Sequence, residues 1–166
     1  YSYQRQKELE KQNRITELAL LRSRINPHFL FNTLNNINSF SIRDPEKASF
    51  AIIKLSEIMR YMLYDATEDK VLLDKEIEYI NNFISLQKIR YQESEFVRFV
   101  IEGETGNLFI PPMIFLPFIE NAFKHGTVSM ANSIEILLRT ERNQIFFRSK
   151  NKIRVLNETE KKHPGG

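Results

Sequence analysis

The sequence contains no cysteine and no tryptophan. The absence of cysteine excludes disulfides and cysteine-ligated metal sites, and it fits a reducing compartment. The longest apolar run, residues 110–119, is too short to cross a membrane and contains three prolines. The first residues do not resemble a signal peptide. Because neither end has the character of a natural terminus, we expect the sequence to be a fragment of a longer protein.

Composition favours a folded protein without a nucleic-acid-binding surface. With 166 residues, 42% of them hydrophobic and 27% charged, the chain can form one domain or two small ones with a packed core. The net charge of +3 is spread along the chain. A nucleic-acid binder would instead show a clustered basic face or an aromatic stacking platform. We therefore expect no direct nucleic-acid binding. A basic helical nucleic-acid binder is the weaker alternative.

The first part of the chain predicts a helical hairpin. Residues 4–42 contain no glycine and one proline, so they are expected to form one long helix that bends at Pro27. A second helix should start at Asp44, as the N-cap, with Pro45 in the first helical position. The apolar positions that should face inward are Leu9, Leu18, Leu21, Ile25 and Phe29 in the first helix, and Ala51, Ile52, Leu55, Ile58, Met59 and Met62 in the second. Two such hairpins would make a four-helix bundle.

The second part predicts mixed α/β structure. A third helix is expected from Leu73, capped by Asp74, to about Tyr91. A strand should follow at residues 96–101, then a helix at 112–124 and a β-hairpin from strands 133–140 and 144–150. The predicted class is α+β, with a helical hairpin in residues 1–66 and an α/β domain in residues 67–166.

A first polar motif surrounds His28. This histidine follows the proline, and Asn32 lies one turn later on the same helix face. An imidazole with its ordinary pKa of about 6.5 is a competent phosphate acceptor near neutral pH. Asn32 could then orient the ring or a water molecule. Alternatively, His28 is packed at a helix interface beside a tolerated kink, and this motif alone leaves both interpretations open.

A second polar motif lies in the otherwise apolar segment 111–126. Asn121 and Lys124 share a helix face, where an amide oxygen could bind Mg²⁺ and an ammonium could bind phosphate. Glu120 is a second candidate magnesium ligand, and His125 lies beside them. Such a group would hold a magnesium triphosphate for phosphoryl transfer. The alternative is an ordinary helix end, enriched in Lys and His and terminated by Gly126.

Together these motifs resemble the LytS/YehU-type family of sensor histidine kinases. The likeness is carried by residues 26–35, 111–112 and 120–126, supported by 73–76 and 84–91, and it covers residues 18–166. It implies a dimeric four-helix bundle followed by a truncated Bergerat-type ATP-binding α/β sandwich. It also implies that His28 is the phosphoacceptor, that Asn121 binds Mg²⁺, and that Lys124 and His125 lie near the phosphates.

The sequence departs from related families at three positions. Phe29 stands where many other histidine kinases have an acidic base, so the base for His28 is unassigned. Pro117 stands where related ATP hydrolases carry a water-activating glutamate. Asn151 is the best candidate for the adenine-binding position, in place of the usual aspartate. Residues 165–166 look like the opening of the glycine-rich ATP loop, which would leave the nucleotide domain incomplete.

The resemblance implies an ATP-dependent protein-histidine kinase with Mg²⁺ as its metal. The enzyme would phosphorylate itself on His28 and pass the phosphate to a response regulator, which by resemblance carries a LytTR-type DNA-binding domain. It would act as a homodimer in the cytoplasmic portion of an inner-membrane-anchored bacterial sensor. The alternative is a dimeric signalling scaffold or pseudokinase with weak or no ATP binding, which the mismatch at Asn151 favours.

Overall fold

A computed structural model describes residues 2–24, 26–91, 94–127 and 131–153, with side chains described to residue 16 in the first range and from residue 95 in the third. The helices of the described chain are α1 (Ser2–Arg24), α2 (Pro27–Arg43), α3 (Pro45–Leu63), α4 (Leu73–Lys88) and α5 (Leu116–His125). The strands are β1 (Val71–Leu72), β2 (Val97–Glu102), β3 (Phe109–Ile110), β4 (Ile134–Glu141) and β5 (Gln144–Asn151). This arrangement confirms the predicted α+β class. Among the described helices, none has the length and apolar character needed to span a bilayer.

The predicted single helix over residues 4–42 is wrong, because α1 and α2 are separate helices. Pro27 occupies the first position of α2, and proline disfavours helical geometry in the residue before it. Asn26 accordingly has φ −69° and ψ 108°, and its side chain caps α2. The side chains of Leu18 and Leu21, and all of Ile25, lie outside the described residues.

The hairpin of α2 and α3 turns at Asp44, as predicted. The backbone N–H of Asp44 donates to the carbonyl of Phe40 and ends α2, while its carboxylate accepts from the backbone N–H of Lys47 and starts α3. Four of the six residues predicted to face inward on α3 are buried: Ala51, Leu55, Ile58 and Met62. Met59 is half-buried, and the side chain of Ile52 is 51% exposed, as expected for an apolar stripe that one hairpin does not cover.

Helix α4 starts at Leu73, but the prediction that Asp74 caps it is wrong. Leu72 is the residue before the helix, and no side chain caps this end. Asp74 lies in the first turn, where its carboxylate accepts a hydrogen bond from the hydroxyl of Thr105. The helix ends at Lys88, three residues before the predicted Tyr91.

Three strands form the main sheet in the order β2-β4-β5. Strand β2 pairs parallel with β4, and β4 and β5 form the predicted antiparallel hairpin. Its two turn residues, Arg142 and Asn143, have φ angles of 50° and 61°, which a tight two-residue hairpin turn requires. Strands β1 and β3 form a separate antiparallel pair.

Helix α5 lies between the parallel strands β2 and β4 in chain order and covers the sheet. It begins at Leu116 rather than at the predicted Pro112, because Met113 adopts φ 61° and interrupts the helical path. Phe115, just before α5, stacks on Phe147 of β5 with ring centroids 4.5 Å apart. Gly126 ends the helix as predicted, and a Cβ at this position would clash with the carbonyl oxygen of Ala122.

One continuous hydrophobic core joins the hairpin to the α/β part of the chain. Side chains of α3, α4, α5 and the sheet belong to the same buried cluster, with Ile58, Ile80, Ile119 and Ile136 among its least exposed members. Phe29 of α2 packs against this cluster. The hairpin therefore has a fixed position against the helix that carries the second polar motif.

Candidate functional site

His28 is the second residue of α2 and its side chain is exposed. This exposure contradicts the alternative in which the histidine is packed at a helix interface. The backbone N–H of His28 donates to the side-chain oxygen of Asn26 over 3.1 Å. A side chain in the first turn lies at the positive end of the helix dipole, where negative charge is stabilised. The position therefore suits a residue that reacts with a phosphate.

Asn32 contacts the imidazole of His28, as predicted from their spacing. The amide nitrogen of Asn32 lies 3.3 Å from both Nδ1 and Nε2 of the ring. An amide N–H can donate only to the ring nitrogen that carries no proton. Whichever ring nitrogen of neutral His28 carries no proton, the amide N–H of Asn32 is therefore placed to donate a hydrogen bond to it.

The two polar motifs meet in one cavity of about 670 Å³. His28 and Asn32 line it from α2, and Glu120, Asn121 and Lys124 line it from α5. Asn121 and Lys124 are both exposed, so their polar atoms are available to a ligand. The residues of two motifs that are distant in the sequence thus line the same cavity.

Glu120 is the half-buried member of this group. Burial raises the pKa of its carboxyl, and a side-chain hydrogen bond from Asn26 acts in the opposite direction. The oxygen of Asn26 accepts from the backbone of α2, so its amide nitrogen is the group left to donate, and Asn26 and Glu120 line the same two cavities. Asn26 therefore connects the start of α2 to α5.

The donor atoms of this cavity fit magnesium bound together with a phosphate substrate. Asn121 and Glu120 offer hard oxygen ligands, and Mg²⁺ commonly takes only one or two ligands from the protein when phosphates and water supply the others. No group of three or more His, Cys, Asp or Glu side chains that could hold a metal occurs in the part of the chain that the structure describes. A metal held by protein side chains alone is not what this site offers.

Two predicted site residues lie away from the cavity. His125 is exposed at the end of α5 and is not among the residues that line it. Asn151 is the last residue of β5, is half-buried and pairs with Ile134. The glycines at residues 165–166 lie outside the described residues. The contact that would recognise a nucleotide base therefore remains a prediction.

Two residues of the cavity were missed by the sequence analysis. Asn26 would have been found if Asn-Pro had been interpreted as the N-cap and first position of a helix. Arg90, which follows α4 and lines the cavity, brings a second positive charge beside Lys124. No local pattern marked Arg90, because its proximity to α5 is a property of the fold.

The buried carboxyl group of Glu76 stabilises the segment that leads into α5. Glu76 of α4 has no exposed surface, accepts a hydrogen bond from the hydroxyl of Tyr61, and accepts another from the backbone N–H of Met113 over 3.0 Å. Burial raises the pKa of Glu76, against the effect of these hydrogen bonds. Burial and Glu76 together raise the pKa of Tyr61. This network joins α3 and α4 to the segment that leads into α5.

Comparisons with known proteins place the chain among histidine kinases. A protein-family model described as Histidine kinase matches residues 16–96. The sensor histidine kinase BtsS of Escherichia coli K12 is 36% identical over 140 residues, which cover 84% of this chain and 24% of that protein. The sensor protein LytS of Staphylococcus saprophyticus is 30% identical over 131 residues, covering 79% of this chain and 22% of that protein.

LytS of Oceanobacillus iheyensis is 34% identical over 133 residues, covering 78% of this chain and 23% of that protein. The chain thus spans about a quarter of the length of these curated relatives. The chain belongs to the LytS/YehU-type family of sensor histidine kinases.

Proposed function

We propose that this chain carries out ATP-dependent phosphorylation of His28 as part of a two-component signalling protein. The observation that carries the proposal is the single cavity that contains His28, Asn121 and Lys124. A nucleophile and a phosphate-binding group must be held within reach of one substrate for phosphoryl transfer, and positioning supplies most of the catalysis. The two motifs meet this requirement in the folded chain.

Six of the residues that line the cavity have a role in this proposal. Asn121, with Glu120 beside it, would hold Mg²⁺, which neutralises charge on the triphosphate when it is bound. Lys124 and Arg90 add positive charge for phosphate oxygens. Asn32 contacts the imidazole of His28 and would fix the orientation of the ring in the cavity. Phe29, and not an acidic residue, directly follows His28, and the exposed ring can release its proton to water.

The proposed partners follow from the family and from the surface of the hairpin. Phe31, Leu34, Phe50 and Ile53 leave between 42% and 65% of their surface exposed on α2 and α3. Exposed apolar side chains of this number on one small hairpin favour an interface with a second copy of the chain, which would cover them. The two hairpins would then form a four-helix bundle. As the family resemblance implies, the intact protein would be membrane-associated and would pass its phosphate to a response regulator.

A second candidate function is a signalling scaffold that binds ATP weakly or not at all. The observation that favours it is the position of Asn151, which lies in the β-ladder outside the cavity. Calorimetric titration of the intact protein with ATP and Mg²⁺ distinguishes the two candidates. The kinase binds nucleotide and labels itself, whereas the scaffold does neither and still assembles.

The direct test of the kinase proposal is labelling of the intact protein with ATP that carries a radioactive γ-phosphate. Wild-type protein should acquire acid-labile phosphate, and mass spectrometry should locate it on His28. The His28→Gln variant should remain unlabelled yet folded, because the exposed side chain contributes little to the core. His163→Gln serves as the matched histidine control and should label normally. Undiminished labelling of His28→Gln would remove His28 from the mechanism.

A further inference from the structure

We infer that phosphate passes within one chain, from nucleotide held by α5 to His28 of the same chain, and that Asn26 and Glu120 are the positioning residues for this transfer. This inference rests on the proposed function and adds the route of transfer. It follows from two separate connections between the first turn of α2 and α5, one polar and one aromatic.

The polar connection runs through Asn26. Its side-chain oxygen accepts from the backbone N–H groups of His28 and Phe29, at 3.1 and 3.3 Å, and thereby fixes the first turn of α2. Its amide nitrogen is left to donate towards Glu120, which lines the same two cavities as Asn26. One side chain therefore holds the backbone of the phosphoacceptor against the residue that precedes Asn121.

The aromatic connection runs through Phe29, which follows His28. The ring of Phe29 stacks on Phe83 of α4 at 5.0 Å between centroids, and Phe83 meets the edge of Phe123 at 5.7 Å. Phe123 precedes Lys124 in α5. Aromatic pairs at these distances stabilise a fixed relative orientation. The residues on both sides of His28 are thus attached to the helix that carries Asn121 and Lys124.

These connections bring the two motifs of one chain to the same cavity. His28, Asn121 and Lys124 of a single chain all line it. In the transfer, a ring nitrogen of His28 forms a bond to the γ-phosphorus of ATP. The bond from that phosphorus to the bridging oxygen breaks, and ADP leaves with its electron pair. The proton on the other ring nitrogen is released to water, so charge and atoms balance.

Heterodimers of the intact protein with two different affinity tags test the route of transfer. The first heterodimer pairs a His28→Gln chain with an Asn121→Ala chain, so that each chain lacks one part of the reaction. The second pairs a wild-type chain with a chain that carries both substitutions. Tandem purification isolates each heterodimer, and the label is assigned to a chain by its tag.

If transfer occurs within a chain, the first heterodimer should remain unlabelled. The second heterodimer should be labelled on its wild-type chain only. Transfer between chains predicts the reverse, with label on the Asn121→Ala chain of the first heterodimer, and that result would overturn the inference. Label in both heterodimers would overturn it as well. Failure of the proposed function is distinguishable, because the wild-type homodimer would then remain dark. Labelling of a wild-type protein that proves to be monomeric supports the inference directly.

The roles of Asn26 and Glu120 are tested by exchanging the two functional groups. Asn26→Asp preserves a good helix cap but places a second carboxylate against Glu120, and should slow labelling by about tenfold or more. Adding Glu120→Gln to this variant restores an amide–carboxylate pair, so the double variant should label faster than Asn26→Asp alone. The urea midpoint for unfolding should fall and recover in the same order. Independent effects of the two substitutions on the midpoint would overturn the assigned contact.

Discussion

The hydroxyl of Tyr61 on α3 donates a hydrogen bond to the carboxylate of Glu76 on α4, inside the hydrophobic core. The same carboxylate oxygen accepts from the backbone of Met113, whose φ of 61° precedes α5. The other oxygen, Oε1, is buried with no hydrogen-bond partner within the described residues. Glu76 therefore fixes the approach to α5 at the expense of an unfavourable environment for its own charge.

Removing the hydroxyl of Tyr61 should destabilise the fold measurably. Tyr61→Phe leaves the buried carboxyl without its side-chain partner, and we expect a loss of about 1.5–3 kcal/mol in the free energy of unfolding. Urea denaturation followed by circular dichroism provides the measurement. Tyr64→Phe is the matched control, because Tyr64 is 71% exposed and should lose little. Equal losses in the two variants would contradict the role given to the buried hydrogen bond.

The raised pKa of Glu76 predicts a pH dependence of stability. An unfolded chain releases this proton near the ordinary value of 4.5, whereas the folded chain keeps it to a higher pH. The folded state therefore binds more protons in this window, and the contribution of Glu76 to stability declines as pH rises through it. Glu76→Gln cannot lose a proton, so its stability relative to wild type should increase as the pH rises above the ordinary pKa of 4.5.

Denaturation midpoints of both proteins across this pH range provide the test. Glu78→Gln, which changes an exposed carboxyl on the same helix, serves as the control and should follow wild type. A constant difference between Glu76→Gln and wild type at every pH would show that Glu76 is not held in its neutral form by burial.

Substitutions in α5 should distinguish the loss of a magnesium ligand from a change of charge near the triphosphate. Asn121→Asp keeps an oxygen ligand but adds negative charge near the triphosphate, so it should weaken ATP binding less than Asn121→Ala does. Lys124→Ala removes a charge-assisted hydrogen bond and should raise the dissociation constant by roughly 10–100-fold. Calorimetry on the intact protein measures both effects, with Lys70→Ala as an exposed lysine control. Unchanged affinity in Asn121→Ala would exclude this residue as a ligand for the bound magnesium.

The intact protein should form a parallel homodimer through the helical hairpin. Ile53 of α3 is 55% exposed, and Ile53→Glu places a charge in the proposed interface. We expect this substitution to raise the dimer dissociation constant by at least about tenfold. Light scattering measures the association, and Ile101→Glu on β2 is the control because Ile101 is 40% exposed outside the hairpin. A wild-type monomer at high micromolar concentration would contradict the prediction.

Local signals in the sequence predicted the elements whose boundaries depend on nearby residues. Asp44 followed by Pro45 marked the turn of the helical hairpin, and residues 141–143 marked the turn between β4 and β5. In both places the stabilising hydrogen bonds join residues only a few positions apart. The contact between Asn32 and His28 was also predictable, because one helical turn separates them.

Other features depend on contacts that no local pattern encodes. The helix break before Pro27 was missed because apolar residues recur at helical spacing on both sides of it. The burial of Glu76 depends on Tyr61 and Met113, which lie in different elements. The start of α5 was misplaced because the positive φ of Met113 is imposed by its surroundings. In each case tertiary structure overrides the preference that the sequence expresses locally.

The contact between Asn26 and Glu120 also has a consequence for the order in which the protein matures. During synthesis, His28 emerges from the ribosome long before α5 has been made, and closing so long a loop is entropically costly until the intervening elements fold. We therefore expect His28 to meet Asn121 and Lys124 only after the helices and strands between them have formed. A phosphorylated His28 would then be a mark that translation and folding of this whole stretch are complete.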